Sequence, residues 1–272
     1  MNIKILIILL TLQFISLKAA ISCSKNTACI ETKKEGNFIN FYAINKRDHK
    51  ISLNVTVEKK NMKSSVSLPA TCVLNPKEKR FILSLKHGSK SWNYNYHYTW
   101  AKGDYNAIHE NSYIYNLPYE KGSKYKISQS CNGTFTHKGH SQYAIDFSMP
   151  TNTPIHAARE GKVVDVKFDS TRGGNSKSYI DDGNYVRIEH DDGTLGTYFH
   201  LSYGKVVVHI NQIVKKGELL GYSGNTGYTR GPHLHFVVES ATKEGKGVSY
   251  PAHFSTSKGV ITCPKKDTYL MW

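Results

Sequence analysis

Apolar residues fall at every second position in two early stretches of the chain. Ile51, Leu53, Val55 and Val57 are separated by polar residues. Trp92, Tyr94, Tyr96, Tyr98 and Trp100 repeat the pattern around Asn93, Asn95, His97 and Thr99. Side chains two apart on a strand share a face, so this period predicts half-buried strands, one of them with an aromatic face. Such a stripe fits a core and, less commonly, a platform for stacking carbohydrate. Gly103-Asp104 marks the turn that ends it. Residues 23–110 therefore read as a small N-terminal β domain, a sandwich by its pattern, with no role the residues reveal. The polar, tyrosine-rich stretch 106–126 reads as a connector.

From Cys131 onward short apolar runs lie between glycine turns. They predict strands at 143–147, 161–168, 184–190, 196–201, 205–209, 218–222 and 233–239, with no convincing helix. The fold class is mainly β: an N-terminal β domain, then a second β-rich domain over 111–272 with its core at about 131–240.

The first residues carry a different pattern. Lys4 precedes an apolar run that continues to Leu17, followed by the small residues Ala19, Ala20 and Ser22. This reads as a signal peptide over residues 1–22, too short to be a comfortable membrane span. No other stretch is apolar enough to cross a bilayer. A secreted or periplasmic protein without a transmembrane span is expected. Cys23, preceded by Ala20-Ile21-Ser22, resembles a weak lipobox and leaves open a lipid anchor, as in an outer-membrane lipoprotein. In an exported chain Cys23, Cys29, Cys72, Cys131 and Cys263 could form one or two disulfides. They contain no CxxC pair, so a thiolate zinc site of the usual spacing is not indicated.

Composition narrows the partners. A formal charge of +15 favours an anionic one: nucleic acid, acidic lipid or a cell-wall polymer. The lysines are scattered and no nucleic-acid motif accompanies them, so nucleic acid is not expected. A lysine-rich proteome would give the same excess.

The histidines carry the chemistry. In Gly231-Pro232-His233-Leu234-His235-Phe236, the two histidines project to one face of a predicted strand and Leu234 and Phe236 to the other. Paired imidazoles suit neutral ligands or acid–base groups, and an isolated pair is as readily an exposed one. This pair has company. His200 lies on the strand Tyr198-Phe199-His200-Leu201, on the face opposite Phe199. Asp146 sits between Ile145 and Phe147 but faces the other way, and a carboxylate so placed needs a partner. A divalent cation would serve. Two imidazole nitrogens and one carboxylate oxygen make a three-ligand set with an open fourth position, the catalytic form of a zinc site. Calcium or magnesium would ask for more oxygens.

In order along the chain, "HKGHSQYAIDF", "YFHL" and "GPHLHF" resemble the lysostaphin/LytM-type zinc endopeptidases of bacterial cell walls. So do the intervening "PTNTPIHAAREGKVV" and "KKGELLGYSGNTGYTRGPHLHF". The resemblance covers about 131–239. It implies a LytM-like (duplicated hybrid motif) β fold with a groove, one Zn2+ and cleavage of amide bonds in peptidoglycan peptides or cross-links. By position, Asp146 and His235 would be metal ligands. The compact motif places the third ligand four residues before Asp146, where this chain has Gln142. A longer-loop version puts His137, which keeps its following x-Gly at Gly139, on the metal, with His140 as the alternative. His200 and His233 would be the catalytic pair that does not bind metal. No glutamate base is then needed, in keeping with the missing HExxH: His109-Glu110 is followed by Tyr113 at the position of the second histidine. A catalytically silent relative that activates a wall amidase is the rival from another class; such members typically lack the zinc ligands. A sugar- or metal-binding β module without chemistry is the third.

Other signals are weaker. Gly221-Tyr222-Ser223-Gly224-Asn225 narrowly misses a nucleophile elbow, and Gly221, Gly224 and Gly227 read as turn glycines on the approach to His233. Residues 170–183 read as a long exposed loop, either a groove wall or plain solvated chain.

Overall fold

A computed structural model describes residues 20–272. The expected signal peptide lies almost wholly outside the described residues, and its last positions begin the strand Ala20–Ser24. Among the described residues no helix is long and apolar enough to cross a membrane.

The alternation of the early stretches becomes a two-sheet sandwich. One sheet has five strands in the order Ala20–Ser24, Ala28–Glu35, Phe38–Asn45, Lys79–His87, Met62–Ser64. The other places Ile51–Lys60 between Ala70–Leu74 and Asn93–Lys102. Ile30, Ile39 and Phe41 from the first sheet meet Leu53, Val55 and Val57 from the second in one buried cluster. The aromatic stripe packs on that cluster, with Tyr94 and Tyr96 edge-on to Phe41 at 5.7 and 5.3 Å. It is core.

The second unit is built on a nine-stranded antiparallel sheet. Its path runs Ile213–Val214, Gly161–Lys167, Tyr185–Glu189, Leu195–Phe199, His233–Ala241, Ile145–Ser148, Lys124–Gln129, Tyr269–Met271, and Gly247–Tyr250 pairs with His233–Ala241. A smaller sheet of Pro154–His156, Leu219–Ser223 and Leu201–Val206 lies beside it. Phe147, Val186, Tyr198, Leu234 and Phe236 fill the core between them.

Three expectations change. The tyrosine-rich stretch is more than a connector: Tyr115, Leu117 and Tyr119 are fully buried in the second core. Their rings supply apolar area, and the Tyr119 hydroxyl donates to the Leu270 carbonyl at 2.8 Å, so the polar end is satisfied. The core of the second unit also extends past residue 240, to Ala252, Phe254 and Leu270. Tyr269–Met271 pairs with Lys124–Gln129, and a disulfide joins Cys131 to Cys263. Finally, Cys23 is paired with Cys29 across adjacent strands, leaving Cys72 free.

The two units meet through polar and charged groups. Lys102 holds both carboxylate oxygens of Glu239 at 3.0 Å, and Lys50 reaches Glu189 at 2.8 Å. The Ser240 hydroxyl donates to the Asp104 carbonyl at 2.7 Å. Beneath them His49 lies 3.3 Å from Asp165, which accepts from Arg187 at 2.5 Å. Burial raises the pKa of Glu239, but Lys102 and Arg187 outweigh it and hold the carboxyl down at about 2. An unfolded glutamate titrates near pH 4.3, about two units higher. The stabilisation is therefore complete above roughly pH 5 and is lost as pH falls from there toward 2. Melting temperature followed down that range should drop, and Glu239→Gln should flatten part of the slope.

Candidate functional site

The site forms where the strands Ile145–Ser148 and His233–Ala241 lie side by side. Their register sets Asp146 opposite His235 and Ser148 opposite His233. On the other side of His233–Ala241, Phe199 stands opposite His235. Leu234 and Phe236 point into the core, so His233 and His235 are left on the cleft face. Two strands distant in sequence thus deliver their polar residues to one floor, with Phe199 of a third beside them.

Asp146 is the focus. Its Oδ1 lies 2.8 Å from His235 Nδ1, 3.1 Å from His137 Nε2 and 3.8 Å from His233 Nε2. Its Oδ2 accepts from Gln129 Nε2 at 2.9 Å. Burial alone would raise the Asp146 pKa. Its contacts with the His137 and His235 rings outweigh that and hold it well below the usual carboxylate range. Burial also lowers His235, partly offset by Asp146.

His137, Asp146 and His235 each offer one ligand atom, all within 4.8 Å of one another. His137 tests whether a cation fits. Its Nδ1 donates to the Ser130 carbonyl at 2.8 Å, which leaves a lone pair on Nε2. That Nε2 is buried without a hydrogen-bond partner and points at the Asp146 carboxylate. An acceptor nitrogen facing an acceptor oxygen is unfavourable unless a positive charge lies between them. The donor set, two imidazoles and one carboxylate, suits zinc with an open position. His140, the alternative third ligand, is exposed on the rim and is not among the clustered donors.

His200 and His233 stand beside this cluster with ring centroids 4.5 Å apart. His200 Nδ1 donates to the Thr226 carbonyl at 2.6 Å, and His233 Nδ1 to the Gly231 carbonyl at 2.8 Å. Both rings are therefore fixed as the tautomer whose Nε2 is an acceptor. Desolvation, with His233 and His235 adding repulsion, pulls His200 down to about 3, so it is neutral at physiological pH.

The expected strand through residues 196–201 is interrupted at this point. It ends at Phe199, and His200 adopts a left-handed conformation with φ 67°. Strand alternation therefore does not decide where its side chain points. A non-glycine residue rarely takes this conformation, and here close neighbours impose it. A Cβ on Gly224 would lie 2.8 Å from the His200 carbonyl oxygen and 2.6 Å from the Ser202 nitrogen. One on Gly227 would lie 2.7 Å from Gly183 Cα. Gly224 also bridges to His233. These glycines let two backbones close on the His200 segment as well as shaping the approach to His233.

Residues 170–183 form a wall of the cleft. Gly173–Gly174 pairs with Gly227–Tyr228, and Lys177 and Ile180 on the following 3-10 turn line the opening. The sequence reading missed Gln129. Its side-chain oxygen accepts from the Phe135 and Thr136 nitrogens at 3.1 Å, and its amide then faces Asp146. A polar residue on a strand neighbouring Asp146 was the available signal, but the pairing Gln129↔Asp146 spans a bulge that alternation cannot foresee.

Residues 140–248 match the model of Peptidase family M23. That span holds Asp146, His200, His233 and His235; His137 falls just before it. Peptidoglycan DD-endopeptidase ShyA of Vibrio cholerae is 34% identical over 124 residues, 44% of this chain and 26% of that protein. Lysostaphin of Staphylococcus simulans is 35% identical over 131 residues, 48% of this chain and 23% of that protein. The chain thus spans about a quarter of the length of these curated relatives. The solved catalytic domain of lysostaphin from the same species shares 29% identity, covering 48% of this chain and 88% of that one, with a TM-score of 0.32.

Proposed function

We propose, from the premise that residues 140–248 form a Peptidase family M23 domain, that this protein is an exported, zinc-dependent endopeptidase. Its substrate is the peptide part of bacterial cell-wall peptidoglycan, and its reaction is amide hydrolysis. The observation that carries the proposal is the convergence of His137, Asp146 and His235 beside the His200–His233 pair at one cleft floor. A relative named as a peptidoglycan DD-endopeptidase supports the substrate class.

His137, Asp146 and His235 would hold the ion. Zinc there would supply Lewis-acid chemistry, polarising a carbonyl and acidifying a water. The chain's own groups do the rest. Gln129 orients the Asp146 carboxylate, and the Ser130 carbonyl orients the His137 ring. His200 arrives neutral and presents Nε2 as the acceptor for the proton of the attacking water. That proton then passes to the leaving amine nitrogen. His233, its ring fixed through Nδ1, stands with the ion as the partner of the oxyanion that forms at the scissile carbonyl. The Thr226 and Gly231 carbonyls keep both rings from rotating.

Purified sacculi incubated with the zinc-loaded protein should release muropeptides with new amine termini, detected by mass spectrometry. A chelator should stop the release and zinc should restore it. No release by zinc-loaded protein would turn the reading toward a silent wall-binding relative.

A further inference from the structure

The charges around the cleft are one-sided. Lys177, Arg230, Lys265 and Lys266 line it, and Asp146, already committed at the floor, is its one acidic residue. All four cations are exposed. Among the described residues none of the four forms an ion pair, in contrast to Lys25, Lys50, Lys102 and Arg159, which do. They come from three separate segments, so one local lysine run does not explain them.

Arg230 is the most constrained. Its guanidinium stacks on the Phe135 ring at 3.6 Å from the centroid, and its Nε faces the Asn175 side-chain oxygen at 3.4 Å. The terminal guanidinium nitrogens have no partner within the described chain. Stacking of this kind fixes the plane of the fork, which suits a carboxylate held by two parallel hydrogen bonds. Arg230 also precedes Gly231, whose carbonyl positions His233, and it lines the same cleft as the clustered histidines. Lys265 and Lys266, also on the cleft lining, follow Cys263 of the Cys131–Cys263 disulfide.

We infer that the cleft selects peptides bearing a free carboxylate near the scissile amide, with Arg230 as the carboxylate-reading residue and Lys177, Lys265 and Lys266 as the surrounding positive field. This rests on the hydrolytic function proposed above and names the substrate class within it. Neutral stretches of wall peptide, glycine bridges among them, offer such a rim nothing to bind. Stem peptides with free carboxyl groups do.

The test uses one pool of cross-linked muropeptides in two forms, native and with its carboxyl groups converted to primary amides, so the amide bonds are identical. The zinc-loaded full chain should cleave the native pool at least tenfold faster by kcat/KM, with the difference mainly in KM. Added salt should shrink the ratio, because exposed charges are screened. Arg230→Gln should bring the ratio toward one, and Lys265→Gln with Lys266→Gln should lower it part of the way. Equal rates on the two pools, or an unchanged ratio in Arg230→Gln, would overturn the inference. Retention of the two pools on the immobilised protein is measured in parallel. If neither pool is cleaved, the hydrolytic reading falls, and preferential retention of the native pool still decides for or against the rim.

Discussion

His200→Ala is expected to lower muropeptide hydrolysis by roughly a hundredfold to ten-thousandfold, the usual contribution of a positioned acid–base group, while zinc content stays at the wild-type level. His200 is not one of the three clustered donors, so the metal-binding set is intact in the variant. Its loss removes the Nε2 acceptor that the Thr226 carbonyl presents to the cleft. The fold should survive. Both His and Ala carry a Cβ in the left-handed conformation at position 200, so the backbone strain is nearly unchanged. A melting curve checks that point. His233→Ala should lose a similar factor. The double variant should be little worse than either single one, since the base and the oxyanion partner serve the same transition state and act as a unit. Near wild-type turnover by His200→Ala would remove the catalytic pair from the mechanism.

Asp146→Ala should abolish both zinc binding and hydrolysis. Asp146 is the only anionic donor of the three, and its Oδ1 is the atom on which His137 and His235 converge. Without it two imidazoles whose centroids are 5.1 Å apart are left to bind a dication alone. Gln129→Ala provides a graded comparison. Gln129 never reaches the metal position, but it fixes the Asp146 carboxylate through Oδ2. Loss of such an outer partner typically weakens metal affinity by about tenfold to a hundredfold. Competition against a chromophoric chelator should therefore rank wild type above Gln129→Ala and Gln129→Ala above Asp146→Ala. Equal zinc affinity in all three proteins would place the ion elsewhere.

Much of the site was legible because strand alternation is a local property. The faces of Asp146, His233 and His235 follow from their immediate neighbours, and the paired strands bring them together as the pattern implies. His200 lies beside His233 and His235, but not for the reason strand alternation gave. Its position depends on a left-handed residue that Gly224 and Gly227 make room for from more than twenty residues away. The preference for His137 over His140 rested on the x-Gly that follows it; what the spacing did not show is the Ser130 carbonyl, which turns the His137 ring toward Asp146. Gln129, the cystine pairs and the return of Tyr269–Met271 to the sheet all depend on contacts between distant segments, which no local period encodes. In the sandwich, by contrast, the aromatic stripe went where its period placed it, against Phe41.

The most direct measurement is a crystal structure of the zinc-loaded protein, with anomalous diffraction recorded on both sides of the zinc absorption edge. A single zinc peak bonded to His137 Nε2, an Asp146 oxygen and His235 Nδ1, with His200 and His233 outside bonding distance, is the predicted result. A zinc peak remote from Asp146, or none in protein that still hydrolyses sacculi, would contradict it.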